Sequence, residues 1–141
     1  MKRYAPKNPL YREVVINLCV KETTYKVLFE FEGGVRIYGE LSRIYAPITV
    51  SRLISSLPLD GRVEASKGWV YFITGIGLRP EKPRFTCEQG WIGYWPLAKA
   101  ICLFYEKTSL KSPINRIGTI IEMEKPLAEI PSGVRVRLKL I

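Results

Sequence analysis

The stretch GVRIYGELSRIYAPITVSRL, residues 34–53, has the pattern of a strand followed directly by a helix. Apolar and polar side chains alternate over residues 35–41, which predicts a strand with one buried face. Pro47 then stands where a helix accepts proline, in its first turn. Apolar residues recur beyond it at helical spacing, at Val50, Leu53, Ile54 and Leu57. The stretch therefore predicts a half-buried strand that leads into the main helix of the chain.

The strand at residues 35–41 has a partner in the alternating segment 25–32, with a glycine pair between the two. A two-residue loop would set apolar side chains opposite charged ones and mix the two faces of the hairpin. We therefore predict a hairpin with a three-residue loop, 33–35, in which Phe31 lies opposite Ile37.

Runs of β-branched and aromatic residues, bounded by charged or turn residues, predict the other strands. These strands cover residues 13–20, 62–66, 69–73, 91–95, 98–105, 118–123 and 134–141. A two-residue turn, 67–68, joins two of them and sets Val63 opposite Phe72 on the core face. Trp69 and Tyr71 then face the other way.

The segments between these strands predict three further features. Residues 75–84 contain two glycines, two prolines and four charges, which is typical of a long surface loop. Residues 107–116 are polar and predict a second loop, and residues 126–130 predict a short helical turn. The strand at 98–105 is almost continuously apolar, which indicates a central strand buried on both faces.

Length and composition favour one globular domain, residues 1–141. Its first twelve residues, 1–12, are predicted to form a basic N-terminal extension. The 141 residues are 47% hydrophobic and 11% aromatic, enough to form a core. No apolar run approaches the roughly 20 residues that span a bilayer, and the N-terminus lacks the apolar stretch of a signal peptide. We therefore expect a cytoplasmic protein with no membrane partner.

Several chemistries are excluded by residues that the chain lacks. It has no histidine, which removes imidazole bases, Ser-His and Cys-His nucleophiles and histidine zinc sites. Cys19, Cys87 and Cys102 show no C-x-x-C spacing, so buried free thiols are expected rather than disulfides or a zinc site. Asp60 is the only aspartate, so we expect no carboxylate-rich magnesium site. No metal and no cofactor are expected, and the abundance of Glu, Lys and Arg over Asn and Gln is similar to that of heat-adapted proteins.

The opening stretch resembles a segment of cyclophilins. The likeness lies in the strand at residues 35–41 with its Glu40-Leu41 pair, and in the helix start Ala46-Pro47-Ile48-Thr49-Val50. A closer likeness is to a family of small prokaryotic cyclophilin-like proteins of unestablished function. Its landmarks here are Leu57-Pro58-Leu59, Tyr71-Phe72, Gly93-Tyr94-Trp95-Pro96, Lys99-Ala100 and Cys102-Leu103-Phe104. The resemblance implies a mainly β fold, a closed cyclophilin-like barrel of about eight strands with one main helix and short helical turns.

The sequence departs from both groups at positions that bear on function. Where cyclophilins have phenylalanine-histidine-arginine, residues 70–73 are Val-Tyr-Phe-Ile, so the catalytic arginine has no counterpart. That guanidinium stabilises the twisted prolyl amide, which an apolar side chain cannot do. Many members of the closer group have glycine-aspartate where this chain has Gly90-Trp91, so a ligand shared with them is not implied.

The resemblance and the excluded chemistries favour a non-catalytic module that binds a small molecule or a peptide in an aromatic groove. Pockets of this kind combine apolar walls with a few orienting charges. The candidate residues are Tyr71, Trp91, Tyr94 and Trp95 as walls and Glu88, Lys99 and Arg36 as charges. The alternative is that these aromatics fill the barrel core. Neither the ligand nor the oligomeric state follows from the sequence.

Two other functions stay open. The net charge of +9 favours nucleic-acid binding through Arg135, Arg137 and Lys139 of the last strand and Arg79, Lys82 and Arg84 of the long loop. The same residues also suit a solvated outer strand, and no nucleic-acid motif accompanies them. The third function is a weak or atypical peptidyl-prolyl isomerase, for which no catalytic residue can be named.

Overall fold

The computed structural model describes residues 23–141, which form nine strands, a main helix and one 3₁₀ turn. The strands are β1 (Thr24–Phe31), β2 (Arg36–Ser42), β3 (Leu59–Ala65), β4 (Trp69–Ile73), β5 (Arg84–Cys87), β6 (Trp91–Trp95), β7 (Ala100–Phe104), β8 (Thr108–Met123) and β9 (Arg135–Leu140). The helix α1 spans Pro47–Ser55, and the 3₁₀ turn spans Leu127–Glu129. Within this part of the chain no helix has the length and apolar character needed to cross a bilayer. The predicted strand 13–20 and the extension 1–12 lie outside the described residues.

Eight of the strands close into an antiparallel barrel, as predicted. Their order is β2-β1-β9-β3-β4-β7-β6-β8, and β8 pairs back with β2 to complete the circle. Strand β5 pairs only with β8 and lies outside the barrel. The inward side chains form the core, among them Phe29, Ile37, Phe72, Ile101 and Ile117, which are all fully buried. Every residue of β7 is buried, which confirms the prediction of a central strand.

The first hairpin has the predicted loop length in a different register. Phe29, not Phe31, lies opposite Ile37, and the N–H of Phe31 donates to the carbonyl of Val35 at 2.8 Å. The three-residue loop is therefore 32–34. The prediction rested on keeping apolar side chains on one face, and a shift of two residues keeps that face unchanged. The β-branched Val35 stays extended, while the two loop glycines take the positive φ angles of 99° and 95°.

The second hairpin has its predicted register, with Val63 opposite Phe72 and Ala65 opposite Val70. The prediction succeeded here because a two-residue turn leaves no freedom to shift by a pair of residues.

The predicted loop 107–116 is wrong, because these residues form the first half of the long strand β8. This half pairs with β5, a four-residue strand that the sequence does not mark, and the pair forms a ribbon outside the barrel. One side of the ribbon faces solvent, so its residues are largely polar. A polar composition therefore does not distinguish this outer ribbon from a loop.

Helix α1 begins after Ala46, whose side chain cannot accept a hydrogen bond from the first turn. The carboxylate of Glu81, from the loop between β4 and β5, takes that role. It accepts bonds from the N–H of Ile48 at 3.0 Å, the N–H of Thr49 at 2.8 Å and the Thr49 hydroxyl at 2.7 Å. An acceptor with negative charge suits a helix N-terminus, where N–H groups lack partners within the helix. The long loop is thereby fastened to the start of the helix.

The Glu81 cap predicts a specific pH dependence of stability. Burial alone would raise the pKa of the Glu81 carboxyl, but the bonds from Ile48 and Thr49 outweigh it and lower that pKa below its usual value of 4.5. A lowered native pKa contributes stability above the unfolded pKa, and this contribution is lost as the pH falls through the native pKa. Glu81→Gln should therefore destabilise the protein at pH 7 and have a smaller effect at pH 3.

Urea unfolding at both pH values measures this difference. Glu129→Gln is a matched control, because the Glu129 carboxylate forms no hydrogen bond with any described residue. A destabilisation by Glu81→Gln that is equally large at pH 3 and pH 7 would contradict the proposed cap.

Candidate functional site

A second apolar cluster lies on the outer face of β4, β7 and β6, separate from the barrel core. Strand alternation turns Val70 and Phe72 inward and Trp69 and Tyr71 outward, as predicted. The outer face is nevertheless largely covered, because the ribbon of β5 and β8 lies over it. The buried members of this cluster are Trp69, Cys87, Trp91, Cys102, Phe104 and Ile114.

On this face, the rings of Trp69, Tyr71 and Trp95 contact one another and form what we call the aromatic patch. Tyr71 stacks on Trp69 with ring centres 5.0 Å apart, and its edge meets Trp95 at 5.3 Å and an interplanar angle of 84°. Trp69 also meets Trp95 edge to face at 5.4 Å. Trp69 is buried, whereas Tyr71 and Trp95 are partly exposed. Ile73, the next outward residue of β4, is 57% exposed, so the patch continues as an apolar surface.

The indole nitrogen of Trp95 is an unusual feature of the patch. Nε1 is buried and has no hydrogen-bond partner among residues 23–141. Leaving a buried donor unpaired costs about 1–3 kcal/mol, so most such groups in folded proteins find an acceptor.

On the same outer face, two arginines lie over the ring of Trp91. The guanidinium carbon of Arg116 is 4.4 Å from the centre of this ring and that of Arg84 is 5.0 Å from it. Arg116 also lies 3.9 Å from the ring centre of Tyr45. We call these four residues the cationic stack. Burial lowers the pKa of Arg116, Tyr45 acts in the opposite direction, and the nearby charge of Arg84 lowers it again.

Tyr94, predicted as a wall of the groove, lies in the barrel core with no exposed surface. Its hydroxyl donates to the carbonyl of Ile76 and accepts the N–H of Leu78 at 3.0 Å. Burial raises the pKa of this hydroxyl, although the bond from Leu78 opposes the rise. Tyr94 therefore braces the long loop from inside the barrel, which is the alternative that the sequence left open.

The three predicted orienting charges do not meet at one place. Lys99 is in the turn after β6, beside the pair formed by Trp95 and Ala100, and is the one closest in register to the aromatic patch. Glu88 lies 4.0 Å from the ammonium of Lys107. Arg36 lies at the hairpin end of β2, where its backbone N–H donates to the Glu124 carboxylate at 3.0 Å.

The three basic residues of β9 lie on the outer face of the barrel, next to acidic strands. Arg137 makes two bonds to the Asp60 carboxylate, at 2.8 and 3.1 Å, and Lys139 lies 3.1 Å from Glu30. The backbone N–H of Arg135 donates to the Glu32 carboxylate at 3.0 Å. A surface depression of about 700 Å³ beside them is lined by acidic and basic side chains together. This mixture of charges is typical of a solvated strand face.

The described thiols are buried and poorly suited to attack a substrate. Burial raises the pKa of Cys87 to about 11 and holds that of Cys102 well above its usual value. Because the thiolate is the nucleophile, both are unreactive at neutral pH. Among residues 23–141 no three Cys, Asp or Glu side chains are grouped so that they could hold a metal ion.

Sequence reasoning missed three residues of these two clusters. Alternation places Trp69 on the outer face, but it does not predict that Trp69 is buried there, in a cluster that includes residues of the ribbon. Tyr45 and Arg116 come from a loop and from the mispredicted segment 107–116, and no local pattern links them to Trp91. Only the pairing of Gly93 with Arg116 across β6 and β8 brings Arg116 there.

Comparisons with known proteins agree on the architecture. The family model described as Cyclophilin-like matches residues 25–139. The solution structure of the hypothetical protein AF2241 from Archaeoglobus fulgidus is similar, with a TM-score of 0.70 and 27% identity, over 83% of this chain and 95% of that one. The structure of McbB in complex with tryptophan shares the fold, with a TM-score of 0.63 and 13% identity, over 80% of this chain and 44% of that one. No curated protein matches the sequence.

Proposed function

Since this chain belongs to the Cyclophilin-like family, we propose that it is a non-catalytic module that binds a small apolar molecule or a peptide at the aromatic patch. The observation that carries this proposal is the edge-to-face contact of Tyr71 and Trp95, two rings that are partly exposed and fixed from below by Trp69. The cytoplasmic location of the protein remains a prediction from the sequence.

The patch has the physical properties of a binding surface. Tyrosine and tryptophan offer a large apolar area and lose little conformational entropy when a ligand covers them. Their contacts with Trp69 hold the rings in place before a ligand arrives, which lowers the cost of binding. A ligand acceptor that reached Nε1 of Trp95 would also recover the cost of its unpaired donor.

The same surface lacks the groups that prolyl isomerisation requires. The outward side chains of β4 are Trp69, Tyr71 and Ile73, so this strand carries no cation to stabilise the twisted amide. The arginines of the cationic stack lie over Trp91 and not over the rings of the patch. We therefore expect a bound peptide to leave unchanged.

A proline-containing tetrapeptide anilide tests binding and catalysis with one molecule. We expect it to shift the indole N–H resonance of Trp95 saturably in a two-dimensional NMR titration. In a protease-coupled assay the same peptide should isomerise at the uncatalysed rate. Tyr71→Ala should weaken binding roughly fivefold, as expected when one aromatic contact of about 1 kcal/mol is lost.

Ile121→Ala is the matched control, because Ile121 is also exposed and apolar but lies on β8, outside the patch. It should leave the affinity unchanged. Isomerisation at a rate comparable to that of an ordinary cyclophilin would refute the non-catalytic role, and equal losses in the two variants would refute the assigned surface.

A further inference from the structure

The cationic stack holds two positive charges that the described residues do not neutralise. Arg84 and Arg116 lie over the same ring, Trp91, and no carboxylate within residues 23–141 comes within 4.0 Å of either guanidinium. By contrast, Arg137 on β9 has a two-point contact with Asp60. Like charges on one ring repel each other, so their placement is costly unless an anion joins them.

The acidic residue nearest in sequence is already engaged elsewhere. The Glu81 carboxylate accepts its three bonds from the start of α1 and does not reach the stack. Lys82 follows it and donates to the carbonyl of Ile44 at 3.4 Å, directly beside Tyr45. A third cation, Lys82, therefore lies close to the Tyr45 end of the stack.

The guanidinium groups also keep free donors. Arg116 lies with its plane over two rings and uses Nε toward Gly118 at 3.4 Å and Nη2 toward Thr119 at 2.9 Å. Its remaining N–H groups, and all those of Arg84, have no acceptor in the described part of the chain. Stacking uses the face of a guanidinium and leaves its in-plane donors available for a carboxylate or phosphate.

Two exposed apolar side chains adjoin residues of the stack along the chain. Ile44, next to Tyr45, is 68% exposed, and Phe85, next to Arg84, is 52% exposed. Exposed apolar residues close in the chain to unpaired charges suit a ligand with both an anionic and an apolar part.

We propose that Arg84 and Arg116, held over Trp91, form an oxyanion-binding site that takes the carboxylate or phosphate group of a small ligand with an adjoining apolar part. This site is distinct from the aromatic patch, and the proposal does not depend on peptide binding there. The free N–H groups of the two arginines bind the oxygens, and the exposed apolar side chains that adjoin the stack in the chain are available to the apolar part.

Titration of the full chain with benzoate, phenyl phosphate and benzamide tests the proposal. Benzoate and phenyl phosphate should shift the Trp91 indole and Arg116 Nε resonances saturably, and higher salt should weaken both. The tighter of the two identifies the preferred oxyanion. Neutral benzamide has the same ring without the charge and should bind at least about tenfold more weakly, because charge-assisted hydrogen bonds are lost.

Arg84 is exposed, so we expect Arg84→Gln to fold as the native protein does. The substitution should reduce the affinity for benzoate and phenyl phosphate about tenfold. Arg116→Gln should have the same effect. Arg137→Gln removes one arginine from the opposite, paired face and should change nothing. Equal shifts by benzamide and benzoate, undiminished affinity in Arg84→Gln, or shifts confined to β9 would each overturn the proposal.

Discussion

Gly118→Ala is expected to lower the free energy of unfolding by about 3 kcal/mol or more, a large part of the 5–15 kcal/mol that stabilises most domains. A Cβ atom at this position would lie 2.1 Å from the carbonyl oxygen of Glu40 and 2.9 Å from the side chain of Leu41. The obstacle is backbone, which cannot rotate away as a side chain can. Gly118 pairs with Leu41 where β8 meets β2, so the added methyl group would force apart the two strands that close the barrel.

Urea unfolding followed by circular dichroism measures this effect. Gly77→Ala is the matched control, because its new Cβ would meet only the flexible side chain of Lys99, at 3.6 Å. That variant should stay within about 1 kcal/mol of the native protein. Equal stability of the two variants would mean that β2 and β8 are not in the contact described here.

Asn115→Ala should cost about 2–4 kcal/mol, because it leaves several buried groups without partners. Asn115 is fully buried at the barrel end. Its Oδ1 accepts the N–H of Glu81 at 2.7 Å, and its Nδ2 donates to the Thr49 hydroxyl at 3.1 Å and the Arg79 carbonyl at 3.0 Å. One side chain thus joins the helix, the long loop and β8.

Asn115→Ala should also free the long loop. The backbone amide of Glu81 should then exchange its hydrogen faster than the loss of global stability alone would explain. Ser109→Ala, at an exposed position of the outer ribbon, is the control. It should change neither the free energy of unfolding nor the exchange rate of the Glu81 amide appreciably. Unfolding energies that agree between the two variants would show that the buried network does not hold the loop.

Local patterns were sufficient to predict most of the barrel. The proline and the apolar spacing after it located α1, and a two-residue turn fixed the register of Val63 and Phe72. The register of the first hairpin was not determined, since a shift by two residues keeps each side chain on its face. The ribbon of β5 and β8 could not be predicted, because its short strand and polar residues have the composition of a loop.

The candidate site was predicted only in part, for a related reason. Alternation along β4 placed Tyr71 outward, but it could not separate Tyr94, which fills the core, from Trp95 beside it. The cationic stack depends on long-range pairing. Tyr45, Trp91 and Arg116 come from three distant segments, and no spacing in the sequence indicates that they meet.

Nuclear Overhauser effects between the protein and the proline-containing tetrapeptide anilide test the central proposal most directly. The binding account predicts contacts from the proline and phenyl protons of the peptide to the rings of Tyr71 and Trp95. In the same sample the two prolyl isomers should exchange no faster than in buffer. Contacts confined to other surfaces, or an accelerated exchange between the isomers, would contradict the account.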